Sequence, residues 1–166
     1  MKGALGRLVP AIMGWLAVII TLALAPTIET YNGYVSGNLT AATNATYFVG
    51  LSAIQPWGGF IMVMILLTGT GIFAFSGMKT KNVSVGDLVQ VIGAVIVSVF
   101  ALAVFSGTII GNIDDLITAG ASAVKNVYGA LGIIIYALII GGAGGFAAVK
   151  AYRGSRRSRR STSRMF

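Results

Sequence analysis

The chain has no cysteine and no histidine. Disulfides, thiolate and imidazole metal sites, and Cys or His nucleophilic catalysis are excluded together. Charge is the next scarcity. Charged residues occupy 10% of the 166 positions, whereas a soluble domain carries about 25%. So few charges cannot cover a water-facing surface, and 56% of the residues are hydrophobic. An all-α integral membrane protein is expected. Acid is scarcer than base: 4 acidic residues face 12 basic ones, for a net charge of +8. There is no carboxylate pair set for acid–base work, no metal-ligand spacing and no phosphate-cradling loop. Gly69-Thr70-Gly71 and the run Gly141–Gly145 lie inside apolar stretches and read as helix-packing features. No charged residue falls in the middle of an apolar span, where pumps and proton relays place one. Asp87 and Gln90 lie about one turn into the third span and read as capping and interfacial residues. No enzyme and no cofactor are expected.

What is present is organised around one polar turn, Gly77-Met78-Lys79-Thr80-Lys81-Asn82-Val83-Ser84. An apolar hairpin lies on each side of it. The first run is Leu8 to Ala25, with Pro10 suited to a first helical turn and Pro26 closing the run. A basic start and Ala23-Leu24-Ala25 also fit a signal peptide, but proline after the cut opposes cleavage, and we read the segment as a retained span. Residues 27 to 47 are rich in Thr, Asn, Ser, Tyr and Gly and read as a loop. They carry two glycosylation sequons, at Asn38 and Asn44; such triplets also arise by chance in Thr/Asn-rich loops. Trp57 to Phe75 is the second span, with Pro56 at its start and Trp57 and Tyr47 suited to the interface. Residues 1–81 thus form a first transmembrane hairpin with a polar, sequon-bearing outer loop.

Residues 82–150 form a second hairpin with a helical outer turn. Ser84-Val85-Gly86-Asp87 predicts a capping box opening the third span, Val85 to Ile110. Asn112 begins a second cap, and residues 113 to 126 predict a short amphipathic helix along the membrane surface. The fourth span, Val127 to Val149, contains the pair Gly141 and Gly145, which lets helix backbones approach closely. Residues 151–166 are an Arg/Ser-rich tail with no apolar period, expected to be disordered unless bound.

Orientation follows from the lysines. With the central turn inside, eleven of the basic residues are inside and only Lys125 is outside, a strong positive-inside pattern. Both termini are then inside and Asn38 and Asn44 outside. The third sequon, at Asn82, falls inside.

Lys150, Arg153, Arg156, Arg157, Arg159, Arg160 and Arg164 are the one feature that suggests a partner. They suit anionic lipid headgroups at ~1 kcal/mol per basic residue, double-stranded DNA without sequence preference, or a protein. No aromatic residue interrupts the arginines, so base stacking is not indicated.

The stretch Leu8 to Lys81 resembles the major capsid proteins of spindle-shaped archaeal viruses, the fusellovirus type. The resemblance rests on the apolar run ending Leu24-Ala25-Pro26, the loop Ser36-Gly37-Asn38-Leu39-Thr40 through Asn44-Ala45-Thr46, the run Phe60 to Phe75, and Lys79. It covers a little under half of the chain, and the second hairpin departs from that pattern. The resemblance implies a self-associating, lipid-containing virion shell with basic ends toward packaged DNA. A holin-like membrane pore former and a small accessory subunit of a larger membrane complex are the alternatives.

Overall fold

The computed structural model describes residues 2–79 and 84–162. Lys81, the sequon at Asn82 and Arg164 lie outside the described residues. The described chain is almost entirely helical: α1 (Lys2–Ala41), a 3₁₀ turn (Ala45–Phe48) running into α2 (Val49–Lys79), α3 (Val85–Val104), a π turn (Phe105–Ile109) running into α4 (Ile110–Ala119), and α5 (Ser122–Thr162). Four segments are long and apolar enough to cross a membrane: Leu8–Ala41, Ala45–Met78, Val85–Ala119 and Ser122–Gly142.

α1 is one helix of 40 residues with Pro26 inside it, which corrects the expected break and loop. Residues 27 to 41 are helical because Ile28, Asn32, Val35 and Leu39 repeat at helical spacing and are all buried. That tertiary burial outweighs the polar composition between them and the backbone bond that Pro26 removes. The Thr30 hydroxyl donates back to the Pro26 carbonyl at 2.9 Å, the i−4 bond by which a helical threonine satisfies its own hydroxyl. The α1–α2 connection is therefore only Ala42 to Asn44.

The helices run alternately up and down. Gly14 lies against Ala74, and Asn32 against Gln55, so α1 and α2 are antiparallel. α1 packs against α2 and α3, and α5 packs against the same two. Among the described residues, α1 makes no extended contact with α5, nor α2 with α3, so these pairs are diagonal. The core runs between all four, from Ala17, Phe73, Leu88 and Val91 at one end to Leu39, Phe48 and Ile117 at the other.

α3 starts as the sequence predicts. The Ser84 hydroxyl accepts from the Asp87 amide at 3.1 Å, and the Asp87 carboxylate accepts from the Ser84 amide at 3.2 Å. Its far end differs. No cap forms at Asn112, because the helix passes through the π turn without stopping and ends at Gly120, whose backbone is extended. The expected surface helix over 113 to 126 is thus split: its first part finishes α4 and its last part opens α5. Ile113 and Ile117, within that expected surface helix, are buried in the bundle. The tail also differs, since α5 continues as a helix to Thr162. Extending an existing helix carries no nucleation cost.

Candidate functional site

Three polar contacts tie the helices together at the end carrying the α1–α2 turn. First, Asn32 and Gln55 exchange bonds: the Asn32 amide donates to the Gln55 carbonyl at 3.2 Å, and the Gln55 amide to the Asn32 carbonyl at 2.8 Å. The Tyr136 hydroxyl on α5 donates to the side-chain oxygen of Asn32. Gly58 leaves the space for that hydroxyl, and Gly59 leaves the space for the Glu29 carboxylate. Second, Asn38 donates its amide to the carbonyl of Ser106 in the π turn. A π turn shifts carbonyls out of α-helical register, and α1 meets this one with a side-chain donor. Third, the Asp114 carboxylate caps the α1–α2 turn, accepting from the backbone amides of Thr43 and Asn44 at 2.9 Å each. The Asn44 side chain donates back to Asp114 at 3.0 Å and to the Thr118 hydroxyl at 2.7 Å. Among the described residues, no buried side-chain nitrogen or oxygen lacks a partner.

Both sequon asparagines thus have structural tasks. Asn38 lies on α1 and not in a loop, and the Asn44 amide is bonded twice over to α4. A cleft of about 210 Å³ opens between them, lined by Asn38, Gly107, Gly111 and Asp114 among others. Among the described residues, no cluster of acidic, Cys or His side chains could hold a metal.

The glycines divide into two sets. A side chain at Gly14 would meet the Ala74 backbone, and one at Gly129 would meet the Tyr47 carbonyl. These glycines, with Gly58 and Gly59, let the chain's own helices touch. Sequence reasoning had singled out Gly141 and Gly145 instead. Among the described residues, a side chain at either of those, or at Gly142, would meet nothing. The signal for the first set was available only as pairs across helices, which helical period alone does not give. Beside Gly145 a shallow apolar groove of about 380 Å³ runs along α2, lined by Phe60, Ile61, Met64 and Thr68 among others.

Lys150, Arg153, Arg156, Arg157, Arg159 and Arg160 lie on the last turns of α5; their side chains are not among those described. They are far along the chain from the polar contacts above, which gather the helix halves nearest the α1–α2 turn.

The chain matches no protein-family model, no curated protein and no solved structure.

Proposed function

We propose that this chain is a structural membrane protein that self-associates into a lipid-containing shell of the viral capsid type. Its four long helices cross the bilayer as two hairpins, with both termini inside and the arginine tail turned toward packaged DNA. The division of the glycines carries this reading. Glycines that face nothing among the described residues, at 141, 142 and 145, suit contact with another membrane helix. The charge split supports the orientation, with Lys79, Lys81 and the tail on one side and Glu29, Asp114 and Asp115 on the other.

Imaging and mass measurement of the native assembly test the reading. Particles built from many copies of this chain around lipid are the expected result. A discrete ring that permeabilises membranes on expression would replace it with a pore former, and fixed stoichiometry with unrelated subunits would make the chain an accessory subunit. Gly141→Leu and Gly145→Leu should each weaken assembly. If both variants assemble like the parent, these glycines are not the contact. The topology has its own check: cysteines placed at Thr40 and Ser155 should react with an impermeant reagent from opposite sides of sealed vesicles, and reaction of both from one side would refute it.

A further inference from the structure

The apolar groove beside Gly145 has a direction and an end. It is lined by Phe60, Met64 and Thr68 of α2 and Gly145 of α5 among others. The Thr68 hydroxyl is already bonded to the Met64 carbonyl at 2.7 Å. The described lining therefore offers hydrocarbon contact and no unpaired donor. Along α2 the line of the groove runs on at helical spacing, from Met64 and Thr68 through Ile72 and Phe75 to Lys79. Ile72 and Phe75 are 44% and 57% exposed, so the apolar wall continues to the last turn of the helix. From Phe60 to Phe75 it measures ~22 Å at ~1.5 Å per residue, longer than half of a ~30 Å hydrocarbon core.

α5 brings basic residues to the same end. Gly129 lies against Tyr47, Gly132 against Leu51 and Ile133 against Gly50. These partners differ by 81 to 83 positions, so α2 and α5 run parallel and in step. α2 is helical to Lys79 and α5 to Thr162. Carried along both helices, the register sets Arg156 level with residues 73–75 of α2 and Arg159 level with residues 76–78. Arg159 is then less than a turn from Lys79. The two arginines also continue the line of the groove on α5: they follow Gly145 by 11 and 14 positions, spacings that return to one helix face. Tyr152 lies between, seven positions after Gly145, and tyrosine is a residue type that collects at the membrane interface. Arg153 and Arg157 fall off that line.

An apolar groove at hydrocarbon depth, with three basic residues of two helices brought to its headgroup end, matches the two parts of one ligand class. DNA supplies phosphate but no chain for the groove. An apolar helix fills the groove but brings no anion. We propose that the groove between α2 and α5 is a site for an anionic phospholipid of the inner leaflet, its acyl chain along Met64, Thr68 and Phe75 and its phosphate among Lys79, Arg156 and Arg159. The inference rests on the membrane reading above. Basic pockets between membrane helices on the inner side recur as headgroup sites, and a guanidinium matches a phosphate with paired donors. The site takes two of the six arginines and leaves the others to the nucleic-acid role.

The full chain can be reconstituted in vesicles of equal parts phosphatidylglycerol and phosphatidylcholine and then released into detergent. Native mass spectra should show retained phosphatidylglycerol in several-fold excess over phosphatidylcholine. Lys79→Ser combined with Arg156→Ser and Arg159→Ser should abolish that excess, whereas Arg153→Ser with Arg157→Ser should keep it. Thr68→Trp, at an exposed position in the groove, should lower phosphatidylglycerol retention several-fold. Equal retention of the two lipids by the parent chain would overturn the site. So would equal losses from the two sets of variants, which mark diffuse attraction, or unchanged retention in Thr68→Trp, which means that no chain occupies the groove. If Arg156→Ser with Arg159→Ser weakens duplex DNA binding and leaves phosphatidylglycerol retention at the parent level, these residues belong to nucleic acid and the site falls. A chain that never enters the vesicles would overturn the membrane reading itself, an outcome distinct from insertion without lipid preference.

Discussion

Asn32 and Gln55 bind each other's backbone: each side-chain amide donates to the other residue's carbonyl, at 3.2 Å and 2.8 Å. The bonds join α1 to α2 at positions 6% or less exposed. Asn32 also accepts from Tyr136, so it serves three helices and Gln55 serves two. Asn32→Leu should therefore destabilise more than Gln55→Leu, since it also leaves the Tyr136 hydroxyl buried without an acceptor. Such an orphaned group costs roughly 1–3 kcal/mol. Adding Tyr136→Phe to Asn32→Leu should recover part of that loss by removing the orphan. Denaturant unfolding in detergent measures all three, and equal losses for the two leucine variants would show that Tyr136 does not depend on Asn32.

The four apolar runs and the Ser84–Asp87 cap were legible in the sequence because each is a local pattern. The continuation of α1 past Pro26 was legible too, in the spacing of Ile28, Asn32, Val35 and Leu39, but Thr, Asn and Gly between them carry the composition of a loop. Composition averages over both faces of a helix, and here the faces differ. Asp114 was harder. Its neighbours suggest a helix N-terminus, whereas its partners are Thr43 and Asn44, 71 and 70 residues earlier. No local pattern carries that pairing. The Tyr136–Asn32 bond, across 104 residues, is hidden for the same reason.

A close-packed glycine and an open one should respond to alanine with opposite signs. At Gly129 an added Cβ would collide with the Tyr47 backbone carbonyl, and at Gly14 with Ala74 at 2.5 Å. Neither neighbour can rotate away, because both are backbone. Gly129→Ala and Gly14→Ala should lower the melting temperature. At Gly33 an added Cβ meets nothing, so Gly33→Ala should stabilise the helix, by roughly 0.5–1 kcal/mol. A neutral Gly129→Ala would place α5 further from the 3₁₀ turn at Tyr47 than described.

Asn44 should matter in a host that adds no glycans. Its side chain holds α4 through Asp114 and Thr118, and Asn44→Ala removes both contacts. A loss of roughly 1–2 kcal/mol is expected, comparable to a deleted helix cap. Thr46→Ala breaks the same sequon without touching these bonds, so it should leave stability unchanged. Intact-mass measurement of the native protein should show Asn44 unmodified, because its amide nitrogen is already committed. A glycan at Asn44 would mean that the turn is modified before α4 docks.

The tail carries the functional claim. Six arginines between 153 and 164 can contact about six phosphates, each contributing about −0.9 to the slope of log affinity against log salt. Affinity for duplex DNA should then fall by roughly three decades over a fourfold rise in salt. Duplexes of unrelated sequence should bind almost equally, because phosphate contacts carry no base information. Replacing Arg156, Arg157, Arg159 and Arg160 by Ser should reduce the size of the slope by about 3 to 4 units. Any basic segment binds polyanions in isolation, so the decisive measurement uses the native assembly. Crosslinking there should join the tail to nucleic acid. Crosslinks to lipid alone, with the four-serine variant still enclosing a genome, would reduce the tail to a topology anchor that holds the inner end of α5 at the membrane surface.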